Sequence, residues 1–238
     1  MAYKIAIDNG HGLNTAGKRT PPLPGGRVIH EWEFNYPTAK KLKQVLERCG
    51  LETIMVSDTQ EDTPLATRTS KANNANADIF VSIHYNAFKG EWGTHGGVET
   101  HYYPTSGKGK KLAQLVQAEL AKATGRRDRG IWASDFYVLR KTKMPAILCE
   151  CGFMDNLEEA KLMLDENYQW TVAEAIGKGI CAYLGVKYVP KPEPKKEGFA
   201  TEGKLYKVQV GAFKERKNAE AFLEKLKKSG FDGFIKLE

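Results

Sequence analysis

The chain reads as an α/β protein: a mostly parallel, twisted sheet with helices on both faces, followed by a small C-terminal strand–helix–strand segment. Three observations predict this. Short apolar runs at Tyr3–Asp8, Ile79–His84 and Ala146–Glu150 have the length and continuity of strands buried on both sides. Amphipathic helical stretches separate them, an alternation that places parallel strands side by side through crossover helices. Composition then shifts at Lys187, where Pro190, Pro192 and Pro194 alternate with Lys and Glu, the mark of a stiff, solvated linker.

The elements follow in order. After the first strand comes Leu13–Arg27, a long loop with Pro21, Pro22 and Pro24, expected either to wall one side of a groove or to be a disordered surface loop. Pro37–Arg48 carries Ala39, Leu42, Val45 and Leu46 on one helical face, and Gly50 ends it. Glu52–Val56 reads as a strand. Thr63-Pro64 is an N-cap with proline at the first helical position, opening a helix to about Ala77. Val98–Tyr103 reads as an additional strand. Gly109–Thr124 is amphipathic, with Leu112, Leu115, Val116 and Leu120 on one face. Helices near Leu157–Leu164 and Tyr168–Tyr183 close a first domain, residues 1–186. Beyond the linker, 187–203, the segment 204–238 reads as strand Leu205–Phe213, helix Ala219–Lys228 and strand Phe231–Leu237.

Composition bounds the function. With 238 residues, 41% hydrophobic and 27% charged, the chain has the balance of a folded globular protein. No apolar run approaches the ~20 residues that span a bilayer, so no stable membrane insertion is expected. Met1–Asp8 lacks a basic region followed by a long apolar core, so synthesis in the cytoplasm without a signal peptide is expected. The four cysteines, Cys49, Cys149, Cys151 and Cys181, form no C-x-x-C pair and read as reduced thiols. The net charge of +7 is uneven: residues 187–238 hold 13 Lys+Arg against 8 Asp+Glu. Such a tail suits an anionic polymer, nucleic acid or cell wall, and charge alone does not choose between them.

In open α/β sheets, ligands gather at the carboxyl ends of the strands. His11 follows the first strand, His84 ends Ile79–His84, and Glu150 ends Ala146–Glu150. Two histidines and a carboxylate converging on one crevice suit a catalytic zinc site with an open position for water. The glycines flanking His11 permit a tight turn beside a ligand. Cys149 and Cys151 alternate with Glu150 and so face away from it, into the core.

Seven motifs in order then carry a family resemblance. They are Asp8-Asn9-Gly10-His11-Gly12; Glu31-Trp32-Glu33-Phe34-Asn35; Arg68 in Ala66-Thr67-Arg68; Ala77–Asn86; Gly97–Tyr103 with Asp128-Arg129-Gly130; Asp135–Arg140 with Met144-Pro145-Ala146; and Glu150–Asn156. On these, residues 3–184 resemble the zinc-dependent N-acetylmuramoyl-L-alanine amidases. Asn9 departs from the family's usual proline, which changes turn stiffness. The resemblance implies one Zn²⁺ held by His11, Glu31 and His84, with Glu150 catalytic. It implies hydrolysis of the amide between N-acetylmuramic acid and L-alanine in peptidoglycan, with no nucleic-acid partner. Such an enzyme, acting on the wall after release, is expected to be a phage endolysin or a lytic enzyme of a sporulating mother cell. Leu205–Phe213, Asn218–Ala221 and Leu226–Gly230 resemble the opening half of SPOR domains, which bind glycan stripped of stem peptides. Half such a fold implies completion by association, a homodimer through residues 204–238. Two alternatives are weaker. A zinc carboxypeptidase needs H-x-x-E, and position 14 is Asn14; a non-catalytic wall-binding module leaves Glu150 unused. An H-E-x-x-H zinc helix is excluded because the residue that would close it, at 34, is Phe34.

Overall fold

A computed structural model describes residues 2–191, 209–231 and 233–236. It divides into two compact units, residues 1–191 and 192–238. In the first, β1 (Lys4–Asp8), β2 (Glu52–Met55), β3 (Ile79–Asn86), β4 (Val98–Tyr102), β5 (Asp128–Ala133) and β6 (Ala146–Phe153) form one sheet in the order β2-β1-β3-β6-β4-β5. β2, β1, β3 and β6 are mutually parallel; β4 pairs antiparallel with β6 and parallel with β5. The mostly parallel sheet expected from the sequence is therefore present. The chain goes from β1 outward to β2 and then returns to β3 on the other side of β1, so a topological switch point lies between β1 and β3.

Strand alternation sorts the side chains into two cores. Ile5, Ile7, Val81, Ile83, Ile147, Cys149 and Cys151 face α1 (Trp32–Arg48), α3 (Gly107–Thr124) and α6 (Glu166–Leu184). Ala6, Phe80, Ala146 and Leu148 face α2 (Leu65–Asn74) and α4 (Tyr137–Arg140) in a smaller core closed by Ala72, Val138 and Leu139. α5 (Leu157–Leu162) follows β6, capped by Asn156 on the amides of Glu158 and Glu159. All four cysteines are free and buried. Among the described residues no helix is long and apolar enough to cross a membrane.

Several boundaries differ from expectation. α1 begins five residues earlier than Pro37, because buried Phe34 and Asn35 anchor its first turn and Pro37 forfeits only one backbone hydrogen bond. Pro64 is the N-cap of α2, not its first helical residue, and α2 stops at Asn74, just before Asn76 turns left-handed with φ 49°. β3 and β6 run past His84 and Glu150, so these two residues face each other in register instead of ending their strands. β5 was not apparent in the sequence: an edge strand with Arg129 and Gly130 lacks an apolar run.

In the second unit, α7 (Arg216–Lys228) contains the expected helix, and Phe213 packs on Phe222 at 5.4 Å between ring centroids. Residues 209–213 and 233–236 form no strand. The remainder of the two expected strands, 205–208, 232 and 237, lies outside the described residues, as does most of the linker.

Candidate metal centre

Period-two alternation carries the polar residues of three strands onto one face. Continuing from Ala6, Phe80 and Leu148, the same face receives Asp8 from β1, Ser82 and His84 from β3 and Glu150 from β6. The register sets Asp8 beside Ser82 and His84 beside Glu150. His11 enters from the turn after β1. Gly10 makes that turn possible: its φ is +66°, and a Cβ there would sit 2.7 Å from Asn35 Nδ2 and 2.9 Å from His84 Cε1.

Glu31 comes from outside the sheet. As the N-cap residue of α1 it is 1% exposed, far from the solvated loop position its sequence context implies. Its backbone amide donates to Lys18 O at 2.9 Å, tying it to the long preceding loop. Its Oε1 accepts from Asn35 Nδ2 and from the Tyr85 amide, each at 3.0 Å, and meets His84 Nδ1 at 3.0 Å. Its Oε2 lies 3.7 Å from His11 Nε2. Neighbouring Glu33 turns away to the His30 amide and Arg27. One donor atom each from His11, Glu31 and His84 falls within a cluster 4.8 Å across. Donors about 2.0–2.2 Å from a tetrahedral zinc ion lie roughly 3.3–3.6 Å apart, close to the 3.0 and 3.7 Å at which Glu31 meets His84 and His11, and nitrogen and carboxylate donors suit zinc. The residues present therefore fit a metal of this kind.

Electrostatics prepare these groups. Burial, reinforced by His84, lowers the His11 pKa to about 4, leaving a neutral imidazole. Burial works against the charge of Glu31, but the hydrogen bond and charge of His84, then His11 and Asn35, outweigh it and bring the carboxyl to about 2. Glu150 behaves oppositely. Burial first, then the charges of Glu31 and Glu99, push it up to about 8 against the pull of His84 and Lys18. Its Oε2 is buried without a hydrogen-bond partner among the described residues. A carboxyl titrating near neutrality with a free oxygen is matched to general acid–base work.

Behind the cluster lies a network not read as functional from the sequence. His84 Nε2 meets Ser82 Oγ at 3.0 Å, and Ser82 donates to Asp8 Oδ2 at 2.6 Å. Asp8 also accepts from Ser57 Oγ at 2.7 Å and from Arg68 at 2.9 Å. Because the Ser82 proton is committed to Asp8, its oxygen accepts from His84 Nε2–H; Nδ1 is hydrogen-bonded to Glu31 here, and with an ion between the two it would give up that proton and present its lone pair to the metal. Asp8 and Arg68 stood in the quoted motifs; the signal for Ser82 was its placement two residues before His84, on the same strand face. The crevice over this face encloses about 580 Å³ and is lined by His11, Lys18, Leu65, His84, Phe136, Tyr137 and Glu150, among others.

A SPOR domain profile matches residues 166–237, overlapping α6, which is packed against α1 and α3 within the first unit. The sporulation-specific N-acetylmuramoyl-L-alanine amidase of Bacillus subtilis (strain 168) is 30% identical over 99% of this chain and 85% of its own length. The endolysin of Bacillus phage SPP1 is 34% identical over 94% of this chain and 80% of its own. The crystal structure of an N-acetylmuramoyl-L-alanine amidase from Clostridium difficile 630 superposes with a TM-score of 0.72 at 38% identity, covering 78% of this chain and 98% of that one. The family profile "N-acetylmuramoyl-L-alanine amidase" matches residues 5–182, three-quarters of the sequence, and the chain belongs to that family of peptidoglycan hydrolases.

Proposed function

We propose that the chain cleaves the amide between N-acetylmuramic acid and the first L-alanine of the stem peptide with a zinc ion held by His11, Glu31 and His84, and with Glu150 as the proton carrier. The observation that carries this reading is the convergence of three donor atoms within 4.8 Å in a crevice that also holds a buried carboxyl with a free oxygen. A zinc ion in such a site supplies an acidified water and polarises the carbonyl under attack. Glu150, in register with His84 and with one oxygen unpartnered among the described residues, takes a proton from the attacking water. It returns that proton to the alanine nitrogen as the C–N bond breaks, so the products are a lactyl carboxylate and a free stem-peptide amine. Neutral His11 and ionised Glu31 keep their lone pairs available as donors, and Ser82 holds the His84 ring in the tautomer that does the same.

The test pairs metal analysis with product analysis on purified walls. Expected are one zinc per chain, lost in His84→Ala, and release of intact stem peptides by the wild type. A wild type that is fully active without metal, or that releases only a terminal amino acid, rejects the reading.

The second unit is read as a glycan-binding segment completed by a second copy. What favours this is the SPOR match and an α7 whose Phe222, Leu223 and Leu226 are only half-buried within their own unit. Light scattering of the full chain tests it: a monomer across micromolar concentrations removes the dimer. The setting follows the relatives, wall lysis by a phage or by a sporulating cell.

A further inference from the structure

With the lactyl carboxyl of the substrate tied up in the scissile amide, free carboxylates occur only on the peptide side. We propose that Arg129 reads one of them, making a carboxylate subsite for the second residue of the stem peptide. This rests on the amidase reading above.

The subsite is built outward from Glu150. β4 runs antiparallel to β6 with Glu99 directly opposite Glu150, so the two side chains stand next to each other on the crevice face. Glu99 is 6% exposed and accepts from Arg129 Nε at 2.6 Å, Asn86 Nδ2 at 2.9 Å and His101 Nε2 at 3.2 Å. The Arg129 guanidinium also lies over the Phe153 ring, 4.8 Å from its centroid. A hydrogen bond along the Nε edge and an aromatic ring under the plane leave the group little freedom. Its terminal nitrogens make no hydrogen bond among the described residues, and a quarter of the side chain is exposed. A fixed, planar fork with its outer edge open matches a carboxylate.

Position selects which carboxylate. The β5 backbone lies two strand spacings of about 4.8 Å from β6, but Arg129 Nε reaches back to Glu99 on the strand between, so the guanidinium stands between one and two spacings, roughly 5–10 Å, from Glu150. An extended residue spans roughly 3.3–3.6 Å. A peptide leaving the scissile bond toward β5 therefore brings the carboxylate of its second residue, a γ-linked glutamate, to the guanidinium. The other cations near the crevice are less prepared. Arg140, at the end of α4, is paired with Asp135 just ahead of that helix. Lys18 lines the crevice but has no side-chain partner among the described residues to fix it.

Two synthetic substrates decide the matter, used with the full-length, zinc-loaded chain. One is N-acetylmuramoyl-L-alanyl-γ-D-glutamate with a free α-carboxylate; the other is the same compound with that group as the amide. The wild type is expected to prefer the carboxylate by roughly tenfold or more in kcat/KM, mostly through KM, as for a charge-assisted hydrogen-bond pair. In Arg129→Gln the preference collapses to about one. Arg129→Lys keeps the charge without the fork, retains part of the preference, and serves if the glutamine variant fails to fold. The assignment is overturned if the wild type treats both alike, if Arg129→Gln keeps the preference, or if Lys18→Gln loses it in place of Arg129. Hydrolysis of neither compound by the wild type is a different result: it rejects the amidase reading itself.

Discussion

Removing the Arg68 guanidinium is expected to cost more than removing the charge it neutralises, and the network behind the candidate metal centre says why. Arg68 and Asp8 are 2% and 1% exposed, and their atoms meet at 2.9 Å. In Arg68→Met, Asp8 stays buried as an anion with only hydroxyl donors, from Ser57 and Ser82. Breaking a buried pair in this way costs about 3–5 kcal/mol, because the remaining charge has lost its counterion and cannot reach water. Asp62, the second partner of Arg68, is 47% exposed and is resolvated when released, so it adds little. The reverse change differs. In Asp8→Asn, Arg68 keeps Asp62 and the Thr63 carbonyl, both at 2.6 Å, and the loss falls to about 1–3 kcal/mol. Urea unfolding of metal-free protein at pH 7 measures both, followed by tryptophan fluorescence; the four tryptophans, Trp32, Trp92, Trp132 and Trp170, all report on the first unit. An Arg68→Met cost under about 1 kcal/mol, or an Asp8→Asn cost larger than that of Arg68→Met, refutes the reasoning.

Three further outcomes are expected. Glu150→Gln keeps its zinc while hydrolysis falls by roughly 10²–10⁴-fold; metal loss together with activity, read by elemental analysis, moves Glu150 among the ligands. Gly10→Ala places a methyl 2.7 Å from Asn35 Nδ2 and the Ile83 carbonyl at φ +66°, so His84 is displaced and zinc affinity, measured by competition with a chromogenic chelator, drops by about tenfold or more; unchanged affinity contradicts the account of the turn. The native thiols resist a disulfide reagent at pH 8, since all four are buried and burial pushes Cys149 up to about 12, well above the assay pH; all four react after unfolding, and rapid native labelling of Cys149 or Cys151 contradicts the two-faced reading of β6.

Much of the site was legible before any coordinates because β-strands encode direction with a period of two. Once Ile79–His84 and Ala146–Glu150 are read as buried strands, His84 and Glu150 must project into the crevice opposite the apolar core, and Cys149 and Cys151 must not. Glu31 was different. Nothing in His30–Asn35 separates Glu31 from Glu33 locally; family spacing selected it. The physical reason appears only when α1 starts early enough to bury Glu31 against the Tyr85 amide.

The sequence by itself determined the α/β class, the strand that holds His84 and the one whose following turn carries His11, and the change of character at residue 187. All of these are written in local periodicity and composition. Only the tertiary structure decided that β3 and β6 continue past the site, that β4 enters antiparallel with Glu99 opposite Glu150, and that Arg68 reaches Asp8 across sixty residues. Those outcomes depend on pairing and burial between distant segments. An edge strand such as β5 is stabilised by its neighbour's hydrogen bonds more than by its own apolar run, and a buried ion pair is recognisable only after both partners have left water.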